Sequence, residues 1–168
     1  ADGLNALAGQ LGPLKARKAP TIVTPHPGEA ARLLGNHAGE INRDRIGAAR
    51  ALAERSLAIV VLKGAATVVA APDGRVAVSP TGGPLLATGG TGDVLTGVVA
   101  GLLAQGLAPF EAAALGVWLH GAAADLLAER IGSAGALAGD VAGALPETLA
   151  GLRRAAASGS PRAGSRGR

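Results

Sequence analysis

A glycine-rich turn that ends in one carboxylate and runs directly into an apolar segment constrains this chain most. Residues 87–93 read Ala-Thr-Gly-Gly-Thr-Gly-Asp, and residues 94–103 continue as Val-Leu-Thr-Gly-Val-Val-Ala-Gly-Leu-Leu. Glycine allows sharp turns and close approach to a ligand, while the first N–H groups of a helix have no partner within the helix. Those groups attract an anion, and the helix dipole adds to the attraction. The stretch therefore predicts an anion hole formed by Gly89, Gly90, Thr91 and Gly92.

The carboxylate of Asp93 is an unexpected neighbour for bound phosphate, because the two charges repel each other. A carboxylate in this place can act as the base that takes the proton of a hydroxyl next to the phosphate. We therefore predict phosphoryl transfer to a hydroxyl, with Asp93 as the catalytic base. The alternative is a glycine turn opening an ordinary helix, with Asp93 only stabilising its first turn. No Gly-Lys-Ser/Thr follows the turn, and the Gly-x-Gly-x-x-Gly spacing of dinucleotide folds is absent.

The length and composition of the chain limit what kind of protein it can be. A length of 168 residues suits one domain, and 48% hydrophobic residues suffice for a core. That core must be built from Ala, Leu and Val, because the chain has one Phe, one Trp and no Tyr. The absence of Cys excludes disulfides and thiolate metal sites. Since neither a transmembrane span nor a signal peptide is recognisable, we expect a cytoplasmic protein without membrane contact.

The net charge of +4 arises from the C-terminal tail. Nucleic-acid binding requires a basic face with aromatic side chains for stacking, and residues 1–152 offer neither, so we expect no nucleic-acid partner. The composition of residues 153–168 is typical of a disordered, solvated end, with a weak polyanion contact as the alternative. We therefore divide the chain into a domain, residues 1–152, and a basic low-complexity tail, residues 153–168. The tail carries Arg153, Arg154, Arg162, Arg166 and Arg168 and no acidic residue.

Hydrophobic periodicity and turn residues predict an α/β domain. A continuous apolar run at residues 57–62 is typical of a buried strand in a parallel sheet. A hairpin is expected around Pro72-Asp73-Gly74, and Gly106 is expected to end the helix that follows Asp93. The remaining predicted elements are helices over residues 2–11, 42–56 (capped by Asn42), 109–130 and 138–152, a strand over 21–24, and a helix following Gly28.

His26 is held between Pro25 and Pro27 at the C-terminal end of the first predicted strand. Two prolines restrict the backbone there, and ligands bind at this edge of open α/β sheets. We therefore predict that His26 belongs to a binding site, with a purely structural histidine as the alternative. Glu29 is expected to cap its own helix rather than face the site.

Lys63 follows the buried strand and precedes Gly64. A lysine in this place can act as a point charge for phosphate, and Thr67 can hydrogen-bond to a phosphate oxygen. The alternative is a surface lysine beside a tight turn.

Three residues of the predicted helix over 109–130 have expected roles in packing or support. His120 and Asp125 are not spaced to share one helix face, so we expect them to pack or to support the site. Trp118 is expected in the core.

Three ordered motifs resemble the ADP-dependent NAD(P)H-hydrate dehydratases. They are Thr24-Pro-His-Pro-Gly-Glu29, Val61-Leu-Lys-Gly-Ala-Ala-Thr67 and Ala87-Thr-Gly-Gly-Thr-Gly-Asp-Val-Leu-Thr-Gly97. The resemblance implies a ribokinase-like, three-layer α/β/α fold lacking its N-terminal half. It also implies ADP-dependent dehydration of (S)-NADHX and NADPHX to NADH and NADPH, with AMP and phosphate as products.

The resemblance also implies roles for individual residues. His26 and Asp93 would contact the hydrate, with Asp93 as catalytic base. Mg²⁺ is implied as cofactor, carried by phosphates and water because no cluster of metal ligands is recognisable in the sequence. The nucleotide ADP would contact Lys63, Gly64, Ala65, Ala66, Thr67 and Gly92.

The resemblance also implies partners, and one segment of the chain departs from the family's usual sequence. A homotetramer and a fused or separate NAD(P)H-hydrate epimerase are implied. The segment Gly82-Gly-Pro-Leu-Leu-Ala-Thr88 differs from the usual Gly-Asn-Pro-Gly-Met-Ala-Thr. Because the chain starts where the family's domain is half complete, we expect these 168 residues alone to be poorly stable or inactive. The alternatives are a ribokinase-like vitamin-precursor kinase and an inactive nucleotide-binding fragment.

Overall fold

The structure, a computed structural model, describes residues 2–159. Four strands form one sheet: β1 (Ile22–Val23), β2 (Ile59–Leu62), β3 (Val68–Ala70) and β4 (Val76–Val78). A 3₁₀ turn spans Pro84–Ala87. The helices are α1 (Asp2–Asn5), α2 (Gly12–Lys15), α3 (Pro27–Leu34), α4 (Ala38–Arg43), α5 (Arg45–Ser56), α6 (Thr91–Ala104), α7 (Pro109–Ile131) and α8 (Ala138–Gly159).

The sheet has the order β1-β2-β3-β4. Strands β1 and β2 are parallel, with Ile22 opposite Ile59, which confirms the predicted parallel pairing. The other two pairs are antiparallel. The predicted hairpin between β3 and β4 is confirmed, and its turn is closed by Gly74, whose φ is +91°.

Side chains of β2 alternate between two apolar clusters because successive residues of a strand point to opposite faces. Val60 and Leu62 pack with residues of α3 and α5. Ile59 and Val61 pack with residues of α6 and α7. The sheet therefore lies between two helical layers, which confirms the expected three-layer α/β/α arrangement.

Helices α6 and α7 approach closely through a small residue. A Cβ at Gly116 of α7 would lie 2.6 Å from Cγ2 of Val99 on α6. Ala112 and Ala113, one turn earlier, are fully buried. A core nearly without aromatic side chains is thus filled by bringing backbones together.

Two predicted helix boundaries are wrong: the end of the first helix, and the start of the helix predicted over residues 42–56. The helix predicted over residues 2–11 ends at Asn5, and Gly12-Pro13 opens the separate helix α2. A proline's fixed φ suits a first helical turn. Helix α5 is capped by Asp44, whose Oδ1 accepts a hydrogen bond from the Gly47 N–H at 2.7 Å, whereas Asn42 lies within α4.

The C-terminal helix and Trp118 also differ from expectation. Helix α8 continues past Leu152 to Gly159, so the first part of the predicted disordered tail is helical. Residues 160–168, the remainder of that tail, lie outside the described residues. Trp118 is half-buried on α7 rather than a core residue.

Within residues 2–159, no helix combines the length and the hydropathy that a membrane crossing requires.

Candidate functional site

The two parallel strands bring their C-terminal ends to one edge of the sheet. The backbone N–H of Lys63, after β2, donates to the carbonyl of Pro25, after β1, at 2.8 Å. This bond places His26 and Lys63 side by side, as their positions after neighbouring strands predict.

His26 caps helix α3. Its Nδ1 accepts hydrogen bonds from the N–H groups of Gly28 at 3.0 Å and Glu29 at 3.2 Å. Oε2 of Glu29 in turn accepts from the His26 N–H at 2.7 Å, so the two residues form a capping box. The capping role expected for Glu29 is confirmed. Because Nδ1 is occupied by the helix, Nε2 is the ring atom of His26 that a ligand can reach. It lies 3.7 Å from Oε2 of Glu29, on a side chain that is 50% exposed.

Several groups set the pKa of the Glu29 carboxyl. Burial raises it, whereas the hydrogen bond from the His26 backbone and the electrostatic effects of His26 and Lys63 lower it. The lowering contributions prevail, and the pKa lies below its ordinary value. Glu29 thus stays ionised beneath the edge that carries His26.

The turn after β2 requires glycine. Gly64 has a φ of +139°, and a Cβ there would lie 2.6 Å from Nη1 of Arg45. The Arg45 guanidinium lies under the turn, where Nη2 donates to the Leu62 carbonyl at 2.9 Å. Thr67 closes the turn by donating its hydroxyl to the Gly64 carbonyl at 3.1 Å. Sequence reasoning missed Arg45, because nothing in the local pattern distinguishes it from the solvent-facing arginines of its helix.

Several polar groups of the turn into α6 form hydrogen bonds within the turn itself. Gly90 caps the helix with a φ of +88°. The buried Thr91 hydroxyl lies within hydrogen-bond distance of the Leu86 carbonyl at 2.8 Å and the Thr88 carbonyl at 2.9 Å. The Asp93 N–H donates to the Gly90 carbonyl at 3.0 Å.

An anion would therefore meet fewer groups than the sequence suggests. The Thr91 N–H points to the Thr88 carbonyl at 3.4 Å. The Gly92 N–H has no acceptor among residues 2–159. Gly89 and Gly90 are exposed at the mouth of the turn. Gly92 is thus the best placed of the four predicted anion-hole residues.

A cleft of about 410 Å³ lies between the turn after β2, the segment before α6, and helices α6 and α7. A Cβ at Gly92 would lie 3.1 Å from Nζ of Lys63, so the ammonium lies directly against the start of α6. Of the predicted residues, His26, Ala66, Gly89, Gly90, Thr91 and Asp93 are not part of the cleft wall. Those that line it are Lys63, Gly64, Ala65, Thr67 and Gly92.

Asp93 is exposed and directly follows Gly92 in the first turn of α6. Its carboxylate is therefore open to a substrate that approaches the mouth of the cleft from solvent.

Helix α7 holds the opposite wall. Thr81 donates its hydroxyl to the Trp118 carbonyl at 2.9 Å, and the Gly82 N–H donates to Oδ2 of Asp125 at 2.9 Å. A Cβ at Gly121 would lie 2.3 Å from Oγ1 of Thr81, so the segment rests directly on the helix backbone. The support expected of Asp125 is confirmed.

His120 is expected to pack or to support the site, and the structure places it directly in the cleft wall. The spacing of Val117, His120 and Gly121 along one helix face is the sequence signal that indicates this placement.

Within residues 2–159, no three His, Cys, Asp or Glu side chains gather to form a metal cage. Lys63 is the cation at the cleft, so the chemistry of this wall suits an anion.

Comparisons with known proteins place this geometry in a family. The model of the NAD(P)H-hydrate dehydratase family matches residues 1–147. The bifunctional NAD(P)H-hydrate repair enzyme Nnr of Moorella thermoacetica is 51% identical over 152 residues, which cover 90% of this chain and 29% of that protein. The ADP-dependent (S)-NAD(P)H-hydrate dehydratase of Neisseria meningitidis is 52% identical over 122 residues, which cover 72% of this chain and 41% of that protein.

Solved structures agree. The ADP/ATP-dependent NAD(P)H-hydrate dehydratase of Bacillus subtilis, co-crystallised with ATP and Mg²⁺, superposes with a TM-score of 0.78 at 39% identity, over 81% of this chain and 49% of that one. A ribokinase-like superfamily protein of Enterococcus faecalis gives a TM-score of 0.74 at 26% identity, over 90% of this chain and 51% of that one. The fold is therefore ribokinase-like, and the chain spans about half the length of these solved relatives. Because the family model covers most of its residues, the chain belongs to the NAD(P)H-hydrate dehydratase family.

Proposed function

We propose that this chain provides the nucleotide-binding wall and the catalytic base of an ADP-dependent (S)-NAD(P)H-hydrate dehydratase. The reaction dehydrates (S)-NADHX or NADPHX to NADH or NADPH and releases AMP and phosphate. The alternative vitamin-precursor kinase shares the glycine turn and the base, and differs in releasing a stable phosphorylated product.

One observation carries the proposal: Nζ of Lys63 lies against the first turn of α6 at Gly92. A cation beside the positive end of a helix dipole is unfavourable by itself. A phosphate that accepts hydrogen bonds from both the ammonium and the Gly92 N–H removes that repulsion. The family to which the chain belongs supports ADP as the source of this phosphate.

Asp93 has the chemistry for the phosphoryl-transfer step of the reaction. As the β-phosphoryl group of ADP moves to the hydrate, a bond forms between phosphorus and the ring hydroxyl oxygen, and the bond from phosphorus to the AMP oxygen breaks. The hydroxyl proton passes to the Asp93 carboxylate. Loss of phosphate from that ring carbon, together with a proton from the adjacent ring carbon, then restores the double bond of the reduced nicotinamide. His26 Nε2, at the same sheet edge, is proposed to orient the hydrate.

Mg²⁺ fits this arrangement as an ion carried by the nucleotide. Such an ion keeps several waters and binds substrate phosphates rather than a dedicated protein cage, which agrees with the lack of a three-ligand cluster among residues 2–159. When bound, the ion neutralises charge on the transferring phosphoryl group. Lys63, Gly64, Ala65 and Thr67 on the cleft wall, with Ala66 in the same turn, would hold the rest of the nucleotide.

The proposed function also includes partners and a cellular location. The Moorella relative is named bifunctional, which supports an NAD(P)H-hydrate epimerase, fused or separate, as the functional partner. A homotetramer and a cytoplasmic location remain parts of the proposal. Light scattering of the purified protein and cell fractionation test them.

The decisive experiment uses the longest natural reading frame that contains this chain. With NADHX, ADP and Mg²⁺, the ultraviolet absorbance of reduced nicotinamide should return, and Asp93→Asn should abolish turnover while ADP binding persists. Glu111→Gln, an exposed first-turn carboxylate on α7, is the matched control and should leave turnover unchanged. Phosphorylation of a vitamin alcohol without recovery of NADH would establish the kinase instead. If Asp93→Asn left turnover intact, Asp93 would not be the base.

A further inference from the structure

His120 is a buried side chain in the cleft wall whose hydrogen bonding is incomplete. It is 6% exposed and lines the cleft together with Val117 and Gly121. Its Nε2 is buried and has no hydrogen-bond partner among residues 2–159. Leaving a buried polar atom unpaired destabilises the folded state. A group entering the cleft is the natural partner for this nitrogen.

The other ring nitrogen fixes which kind of partner Nε2 needs. The backbone of Thr91 hydrogen-bonds to the imidazole and favours its protonated form, as a carbonyl acceptor does. Since Nε2 has no partner, we assign the contact with the Thr91 backbone to Nδ1, whose N–H then faces the Thr91 carbonyl. Burial outweighs this contact and lowers the pKa of His120, so the ring is neutral at physiological pH. Nε2 is therefore an acceptor that awaits a donor.

The surroundings of His120 suit a flat heteroaromatic ring. Leu86, Leu95 and Val117 line the cleft with it and supply apolar walls. A neutral acceptor repels phosphate oxygens, whereas Lys63 and the Gly92 N–H attract them. The phosphates therefore belong at Lys63, and the base belongs at His120. The hydrogen-bond donor of a purine that fits this wall is an exocyclic amino group.

We propose that His120 is a specificity-determining residue of the nucleotide site, whose Nε2 accepts a hydrogen bond from the exocyclic amino group of adenine. The inference rests on the proposed function, since it assumes that the cleft takes ADP. It adds a residue that selects the base, on a helix remote in sequence from the phosphate-binding motifs.

The test compares ADP with purine riboside 5′-diphosphate, which lacks only the amino group, by calorimetric titration of the full-length protein. The wild type should bind ADP about three- to tenfold more tightly, the range expected for one hydrogen bond. His120→Leu keeps an apolar wall but has no acceptor, and should bind both nucleotides equally. His120→Gln places a carbonyl oxygen near the position of Nε2 and should recover the preference for ADP.

Each outcome supports or contradicts the role of His120 in recognising the base. Equal wild-type affinity for the two nucleotides, or an unchanged preference in His120→Leu, would show that His120 does not read the base while leaving the proposed function intact. No wild-type binding of either nucleotide would overturn the proposed function as well. Because the first comparison uses the wild-type protein alone, the proposal remains testable even if His120→Leu fails to fold.

Discussion

Nζ of Lys63 lies 3.1 Å from the point that a Cβ on Gly92 would occupy. The two residues come from different layers of the fold, one from the end of a strand and one from the start of a helix. On the proposed function, this contact makes the space at Gly92 part of the proposed phosphate site.

Gly92→Ala should therefore weaken ADP binding without unfolding the protein. The new methyl group would displace only the flexible end of Lys63, so the melting temperature should change little. The displaced ammonium no longer shares the phosphate with the Gly92 N–H, and we expect the Kd for ADP to rise about tenfold, as for loss of one charged hydrogen bond. Titration with ADP measures this.

Gly97→Ala is the matched control on the same helix. A Cβ at Gly97 has no neighbour within 4 Å. Replacing an exposed helical glycine should stabilise the protein by up to about 1 kcal/mol and leave ADP affinity unchanged. Equal loss of affinity in both variants would show that the Lys63–Gly92 contact has no special role.

Arg45→Met should loosen the turn that follows β2. It removes the hydrogen bond to the Leu62 carbonyl and the support under Gly64. We expect a loss of about 1–3 kcal/mol in the free energy of unfolding, together with weaker ADP binding. Urea unfolding and ADP titration measure the two effects. Arg50→Met, at an exposed position of the same helix, should change neither.

Asp125→Ala should release the segment before α6. The Gly82 N–H loses a carboxylate acceptor at 2.9 Å, so its protection from hydrogen exchange should fall. The free energy of unfolding should drop by about 1.5–3 kcal/mol, the range for a hydrogen bond to a charged group. Glu129→Ala, on an exposed part of α7, is the control. Unchanged exchange at Gly82 would contradict the role given to Asp125.

Glu29→Gln should make the stability of the protein less sensitive to acid. The pKa of Glu29 is lowered in the folded state from its ordinary value of 4.5. Its contribution is therefore fully present above that value and is lost as the pH falls through the lower, folded-state pKa. The difference in unfolding free energy between wild type and E29Q should shrink as the pH drops below about 4.5.

Chemical unfolding across this pH range provides the measurement. Glu40→Gln is the comparison, because Glu40 holds the same place in α4, where the contact from the His37 N–H is exposed and 3.5 Å long. We expect a smaller effect there. A difference between wild type and E29Q that stays constant with pH would contradict the assignment.

The sequence alone determined features that depend on a few neighbouring residues. The hairpin at Pro72-Asp73-Gly74, the buried strand β2, the helix after Asp93 and the capping role of Glu29 each follow from turn chemistry, β-branching or helix periodicity. The motifs also sufficed to predict the family. The first residue of a helix was harder to predict from the sequence. Asp44 caps α5 in place of the predicted Asn42, because several nearby side chains can cap a helix and packing selects among them.

Only the tertiary structure decided how those features meet. Arg45 reaches Leu62, Asp125 reaches Gly82, and His120 enters the cleft beside Thr91, although none of these pairs is close in the chain. Their contacts depend on the distance between packed layers, which small residues such as Gly116 and Gly121 set. Local patterns encode backbone conformation and burial, whereas the positions of polar groups across a cleft arise from how whole helices pack on the sheet.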